Sequence, residues 1–387
     1  MSTLASRPLF LPTRDGGLRR HEPRASRVFE RPDGPLRSRV LFAAAHVVAD
    51  PLADPWAIDW EQTLAYRYEL WSWGLGVAEA MDTAQRGGST VGWDAARELI
   101  RRSAAAARPG VDRLACGVGT DQLAHEGNWS IAQIGDAYEE QCAFVDDCGA
   151  QPIIMASRML ARTARTVDDY HGIYDRILGQ MRTPAIIHWL GPMFDPQLDG
   201  YWGSRDIENA LDVVVEIIER HAVRIDGIKL SLLDADLEIE LRRRLPDGVR
   251  MYTGDDFNYP SLIEGDGERA SDALLGIFDA IAPAASAAAQ ALDRADPGGF
   301  SDVLAPTVPL ARHIFGAPTA SYKVGVVFLA YLNGHQDHFK LVDGLESARS
   351  IVHLAELFAL ADEAGLLSDA ERASSRMREA LAVAGIR

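Results

Sequence analysis

Lysine is the residue this chain most lacks. Of 39 basic residues only Lys229, Lys323 and Lys340 are lysine; all others are arginine. Cysteine is also scarce. The three cysteines, Cys116, Cys142 and Cys148, are odd in number and form no CxxC, which excludes a disulfide framework and a structural zinc site. Cys116 closes a strand-like run and is expected to be a buried, inert thiol. No apolar run reaches the ~18 residues of a membrane-spanning helix, so no membrane partner is expected. The first 37 residues are rich in Arg, Pro and Gly and lack the apolar stretch of a secretory signal. Positive charge is in deficit, with a net charge of -17. Without a basic footprint, nucleic acid is excluded as a partner. What remains is a 387-residue chain, 47% hydrophobic, able to bury a large core and expected in the cytoplasm.

Short apolar runs alternate with helical patterns from Arg39 onward. The runs cover 39–46, 76–81, 112–117, 152–156, 184–190, 225–230, 249–253 and 272–278. Helical stretches follow them at 59–73, 94–107, 131–148, 167–181, 204–222, 236–244 and 282–293. Such alternation predicts a parallel sheet with crossover helices. Eight periods point to a closed (β/α)8 barrel, an α/β TIM barrel, rather than an open sheet. An open doubly wound sheet would usually carry a glycine fingerprint in its first turn, and His46-Val-Val-Ala-Asp-Pro51 has none. Three segments are expected: an irregular N-terminal arm (1–37), the barrel (38–300) and a C-terminal helical extension (301–387). Helices are predicted in the last segment at 310–315, 322–332, 345–363 and 369–384.

Barrel chemistry sits at the C-terminal ends of strands. Those positions hold His46, Asp82 and Thr83, Asp121, Arg158, His188, Lys229, and Asp255 with Asp256. Lys229 closes the apolar run of the sixth strand. A lysine amine, unlike a guanidinium, can lose its proton near neutrality when desolvated and attack a carbonyl. The bland alternative is a stem that snorkels out of a strand end. Asp255 or Asp256 could cap the next helix, His188 could be a satisfied core histidine, and His46 and Asp121 could serve turns.

Several segments, in order, resemble the dihydrodipicolinate synthase and N-acetylneuraminate lyase superfamily of class I aldolases and lyases. Asp226-Gly-Ile-Lys-Leu-Ser231 is similar to its sixth-strand segment, and the resemblance implies the Schiff-base role for Lys229. Tyr252-Thr-Gly-Asp-Asp256 is similar to its seventh-strand Ser-Gly-Asp-Asp. Gly117-Val-Gly-Thr-Asp121 is similar to its Gly-x-Gly-x-Asn, and the stretch from Tyr322 to Leu367 to its C-terminal helices. The departures are equally specific. The superfamily's Gly-Thr-Thr-Gly-Glu turn, which holds the carboxylate of a 2-oxo acid, reads Met81-Asp-Thr-Ala-Gln85 here, so only Thr83 of the pair matches. Asp82 would repel a carboxylate. His188 stands where the superfamily has a proton-relaying tyrosine, and its ordinary pKa near ~6.5 suits proton transfer.

The resemblance implies a homo-oligomeric lyase or aldolase that acts through Lys229 on a small carbonyl substrate such as a 2-oxo acid, whereas the acidic and aromatic crown of Asp82, Asp255, Asp256, Trp189 and Trp202 points to a keto sugar; no cofactor or metal is expected. Lys229 and His188 are the expected catalytic pair. Asp82, Thr83, Asp121, Arg158, Trp189, Trp202, Asp255 and Asp256 are expected to bind substrate. The loop 192–203 is expected to form a pocket wall, with Trp202 and Tyr201 stacking on a sugar face. The principal alternative is a metal-dependent sugar isomerase or class II aldolase. It would use a divalent ion held by His188, Asp255, Asp256, Asp82 and His46; His335 and His338 form only a loose cluster. A non-catalytic sugar-binding barrel is the other alternative.

Overall fold

The computed structural model describes residues 8–386; the first seven residues of the arm and the last residue lie outside the described range. Among the described residues ten strands are formed: β1 (Leu9–Pro12), β2 (Leu18–His21), β3 (Leu41–Ala44), β4 (Gly76–Glu79), β5 (Leu114–Val118), β6 (Gln151–Met155), β7 (Ala185–Leu190), β8 (Ile225–Ser231), β9 (Arg250–Thr253) and β10 (Asp272–Leu275). β3 to β10 pair in parallel, each with its neighbour in sequence, and β10 closes on β3. The fold is a (β/α)8 barrel with additional N- and C-terminal elements, as the alternating runs predict. The eighth run is shorter than expected: β10 stops at Leu275, and a single helical turn, Ile277–Ala280, takes up the rest.

The chain divides into two compact units. One contains all eight barrel strands and comprises Arg39–Ala45 and Leu75–Gly276. The barrel interior is filled by Phe42, Ala78, Ala115, Ile153, Ile186, Tyr252 and Leu274. Helices Trp93–Ala106, Ile131–Asp147, Val167–Gln180, Ile207–His221 and Ala235–Arg244 follow successive strands. Local signals set their ends. Ser130 and Gln133 form a capping box, and Asp206 and Asp234 cap through their carboxylates.

The other unit gathers, among the described residues, 8–38, His46–Gly74 and 277–386. Its central helix, Tyr322–Asn333, is buried on nearly all sides, as the unbroken apolar run 324–332 within it requires. The helix expected at 345–363 instead starts at Ile351, because Ser350 caps it; a 3-10 segment, Val342–Ala348, precedes it. The arm is less irregular than expected. β1 and β2 form an antiparallel hairpin in which Leu9 and Leu11 are buried and Phe10 is exposed, a period-two pattern.

Candidate active site

Strand alternation decides which side chains enter the barrel. Ile186 faces inward, so His188, two residues on, does too. Lys229 is the register partner of His188 on one side and of inward-facing Tyr252 on the other. The two side chains therefore stand together inside the barrel, at the ends of β7 and β8. Gly254 permits this crowding. A Cβ there would lie 2.2 Å from Ser231 Oγ, 2.6 Å from the Leu230 carbonyl oxygen and 2.9 Å from Lys229 Cε. The backbone leaving β9 thus passes directly against the lysine stem.

Lys229 is 8% exposed. Burial lowers its amine to about 8, against the opposing charges of Asp256 and then Asp82. A substantial neutral fraction is thereby present just above neutrality. His188 is buried, and its Nε2 lies 3.2 Å from Ser231 Oγ. Burial, and then the neighbouring ammonium, hold its pKa well below the ordinary value. It is less basic than its residue type suggests, because it is buried and, to a lesser extent, because a cation is its register partner.

A cavity of about 400 Å³ opens beside His188 and is lined in part by Asp82, Arg86, Asp121, Ser157, Arg158 and His188. Four of the expected residues (Asp82, Asp121, Arg158 and His188) therefore share one wall. Lys229 is not part of that wall; it adjoins it at His188 and senses the charge of Asp82. Arg158 Nε donates to Asp195 at 2.5 Å, tying the helix after β6 to the long loop after β7. Asp121 is held by Arg86 through two bonds of 3.0 and 2.6 Å and accepts from Gln141 at 2.9 Å. Arg86 also donates to the carbonyl of Gly117 at 2.6 Å, bridging the turns after β4 and β5.

Other expected residues are placed differently. Asp255 turns into its own loop and accepts from the amides of Phe257 and Asn258 at 2.8 and 3.0 Å. It caps the turn, whereas Asp256 acts on Lys229. Thr83 is buried in the 3-10 turn Asp82–Ala84, outside the cavity wall. Trp189 points away from His188, as the next residue on a strand must. It meets Trp202 in an aromatic cluster with Tyr170, Tyr174 and Tyr201. Trp202 is fully buried there, at φ +74°, and its indole N–H has no hydrogen-bond partner among the described residues. It offers no face to the cavity; from the same loop Asp195 and Leu198 line the wall instead.

Of the residues in the metal-based alternative, His46 is engaged by Asp279, with Nδ1 at 2.8 Å from the carboxylate. His335 stacks obliquely on Tyr66. Among the described residues, no group of three His, Cys, Asp or Glu side chains could hold a metal ion. Thr120 and Ser157 are site residues missed from sequence, as is Arg86. Its one local hint is its place at the mouth of the Gly87-Gly88 loop, since Asp121 lies 35 residues away.

This barrel, with its strand-end cavity and C-terminal helices, has the fold of the dihydrodipicolinate synthases, as the sequence resemblance implies. A dihydrodipicolinate synthase from Oceanobacillus iheyensis is similar at 16% identity and TM-score 0.61, over 83% of this chain and 95% of that one. A putative dihydrodipicolinate synthetase from Pseudomonas aeruginosa is similar at 13% identity and TM-score 0.63, over 84% and 99%. YagE of E. coli K12, a prophage protein of the dihydrodipicolinic acid synthase family solved with pyruvate, is similar at 11% identity and TM-score 0.67, over 85% and 99%. The chain belongs to the family described as "Protein of unknown function (DUF993)", which matches residues 9–386. No curated protein matches it in sequence. No helix among the described residues is long and apolar enough to cross a membrane.

Proposed function

We propose that this protein is a cytoplasmic Schiff-base-forming lyase or aldolase that acts on a small carbonyl compound through Lys229. The observation that carries the reading is the placement of Lys229: a buried lysine inside the barrel, beside His188 and a strand-end cavity, in a chain that otherwise uses arginine. Pyruvate, a carbonyl compound, is the ligand of one structure sharing this fold. The neutral Lys229 amine adds its lone pair to the carbonyl carbon, and a proton moves from nitrogen to oxygen to give a carbinolamine. The hydroxyl takes up a proton delivered from solvent through His188, departs as water and leaves an iminium. The iminium withdraws the electron pair of an adjacent C–C or C–H bond, so no separate cofactor is required for cleavage, condensation or dehydration. His188 passes the protons, with its ring oriented by Ser231.

Asp82, Asp121 and Arg158 position the substrate from the cavity wall. Asp256 holds the charge balance at the amine. The working form is a homo-oligomer, which light scattering on the purified protein would report. The mechanism is tested by borohydride inactivation. Reductant and carbonyl substrate together should inactivate the protein, and either alone should not. Full protection of activity when both are present would reject the imine.

A further inference from the structure

We infer that the substrate bears no carboxylate next to its carbonyl, and that it is an uncharged polyhydroxylated ketone or aldehyde rather than a 2-oxo acid. This rests on the Schiff-base reading and deepens it by naming the substrate class.

The charges around the amine carry the first part of the argument. Two carboxylates, Asp256 and Asp82, act on Lys229, and Asp82 also lines the cavity with His188. A 2-oxo acid joined to Nζ would hold its own carboxylate one bond from the imine carbon, within the field of both. Like charges at such separations in a partly desolvated site repel strongly. An uncharged carbonyl compound meets no such opposition, and the iminium formed from it is stabilised by the same two aspartates.

The rest of the wall agrees. Three aspartates, Asp82, Asp121 and Asp195, face two arginines, Arg86 and Arg158, along the cavity. Arg86 is committed to Asp121 through two bonds, and Arg158 to Asp195 through one. The wall therefore holds more negative than positive charge and is unsuited to an anion. The same cavity is lined by the hydroxyls of Thr120 and Ser157, which are 2.6 Å apart; Ser157 also accepts from the Leu160 amide, and with the aspartate oxygens these groups suit the hydroxyls of a polyol. A cavity of about 400 Å³ lies within the range of small-molecule sites and exceeds the needs of a three-carbon acid.

The test is a trapping panel on the full-length protein with cyanoborohydride, read by intact mass and peptide mapping. Dihydroxyacetone and erythrulose serve as uncharged probes, pyruvate and 2-oxobutyrate as anionic ones. Each rate is normalised to that of the same probe with free lysine amide. Hydride adds to the imine carbon and fixes the probe on Nζ as a secondary amine. The uncharged probes should label Lys229 at least about tenfold faster than the acids. Asp82→Asn should raise labelling by pyruvate about tenfold or more, because it removes charge while keeping size. Wild-type labelling by pyruvate as fast as by the uncharged probes would overturn the inference and leave the imine standing. An absence of label on Lys229 with every probe would overturn both.

Discussion

Lys229 is held between two influences of opposite sign. Burial favours the neutral amine; Asp256 and Asp82 favour the ammonium, and the balance falls at about 8. The nucleophile is the neutral form, so imine formation should rise with pH through about 8 and level off above it. Asp256→Asn removes the larger opposing charge and should move that profile to lower pH, as stopped-flow measurement of imine formation across pH would show. His188→Gln keeps a polar side chain but no proton relay. It should lower turnover by roughly 10²–10⁴-fold while leaving trapping on Lys229 detectable. At this scale the sequence was partly legible. A lysine in an arginine-rich chain, at the end of an apolar run, announced itself. The division of labour between Asp255 and Asp256 did not, because adjacent carboxylates at a strand end look alike until the backbone shows that one accepts from Phe257 and Asn258. Arg86 escaped notice because its meaning lies in Asp121, on another strand's turn.

At the scale of elements, the strands were legible because buried parallel strands read as short apolar runs. Their inner alternation did not sort the site: His188 and Trp189 are both expected there from sequence, yet adjacent strand residues cannot both face the cavity, and Trp189 turns to Trp202 instead. The loop 192–203 was not legible. Its aromatic residues suggest a stacking wall, yet Trp202 fills an aromatic cluster behind it. Nothing local distinguishes an aromatic residue that faces a ligand from one that anchors a loop. Trp202→Ala should therefore act on stability, costing about 3–5 kcal/mol as large buried aromatics do. Chemical denaturation would measure it, and affinity for a carbonyl ligand should change little in the folded fraction. The hairpin β1–β2 was overlooked because two buried leucines make a short signal within an Arg- and Pro-rich arm.

Across the whole molecule, the eight βα periods foretold the barrel and the helical pattern at 322–332 foretold a C-terminal helix, whose burial only the structure shows. The compact units, however, combine residues distant in sequence, which no linear reading could supply. One buried group outside the candidate site should leave a signature on global stability. Glu238 is 1% exposed, and burial pushes its carboxyl up to about 8, although hydrogen bonds from Ser271 and Thr253 oppose this. Its folded pKa lies above the unfolded value of ~4.3, so the native state retains the proton longer. The stability this contributes is complete below the unfolded value and is lost as pH rises through about 8. Glu238→Gln should flatten the fall in melting temperature between about pH 4 and about pH 8 relative to the wild type.

The account depends most on a covalent bond at one residue, and the scarcity of lysine makes that bond easy to locate. With three lysines and one terminal amine, peptide mapping after borohydride reduction in the presence of dihydroxyacetone resolves every candidate amine. The expected result is one adduct per chain on Lys229, absent from a folded Lys229→Arg variant. An adduct confined to Lys323, Lys340 or the terminus, or one that persists in Lys229→Arg at the wild-type level, would contradict the account.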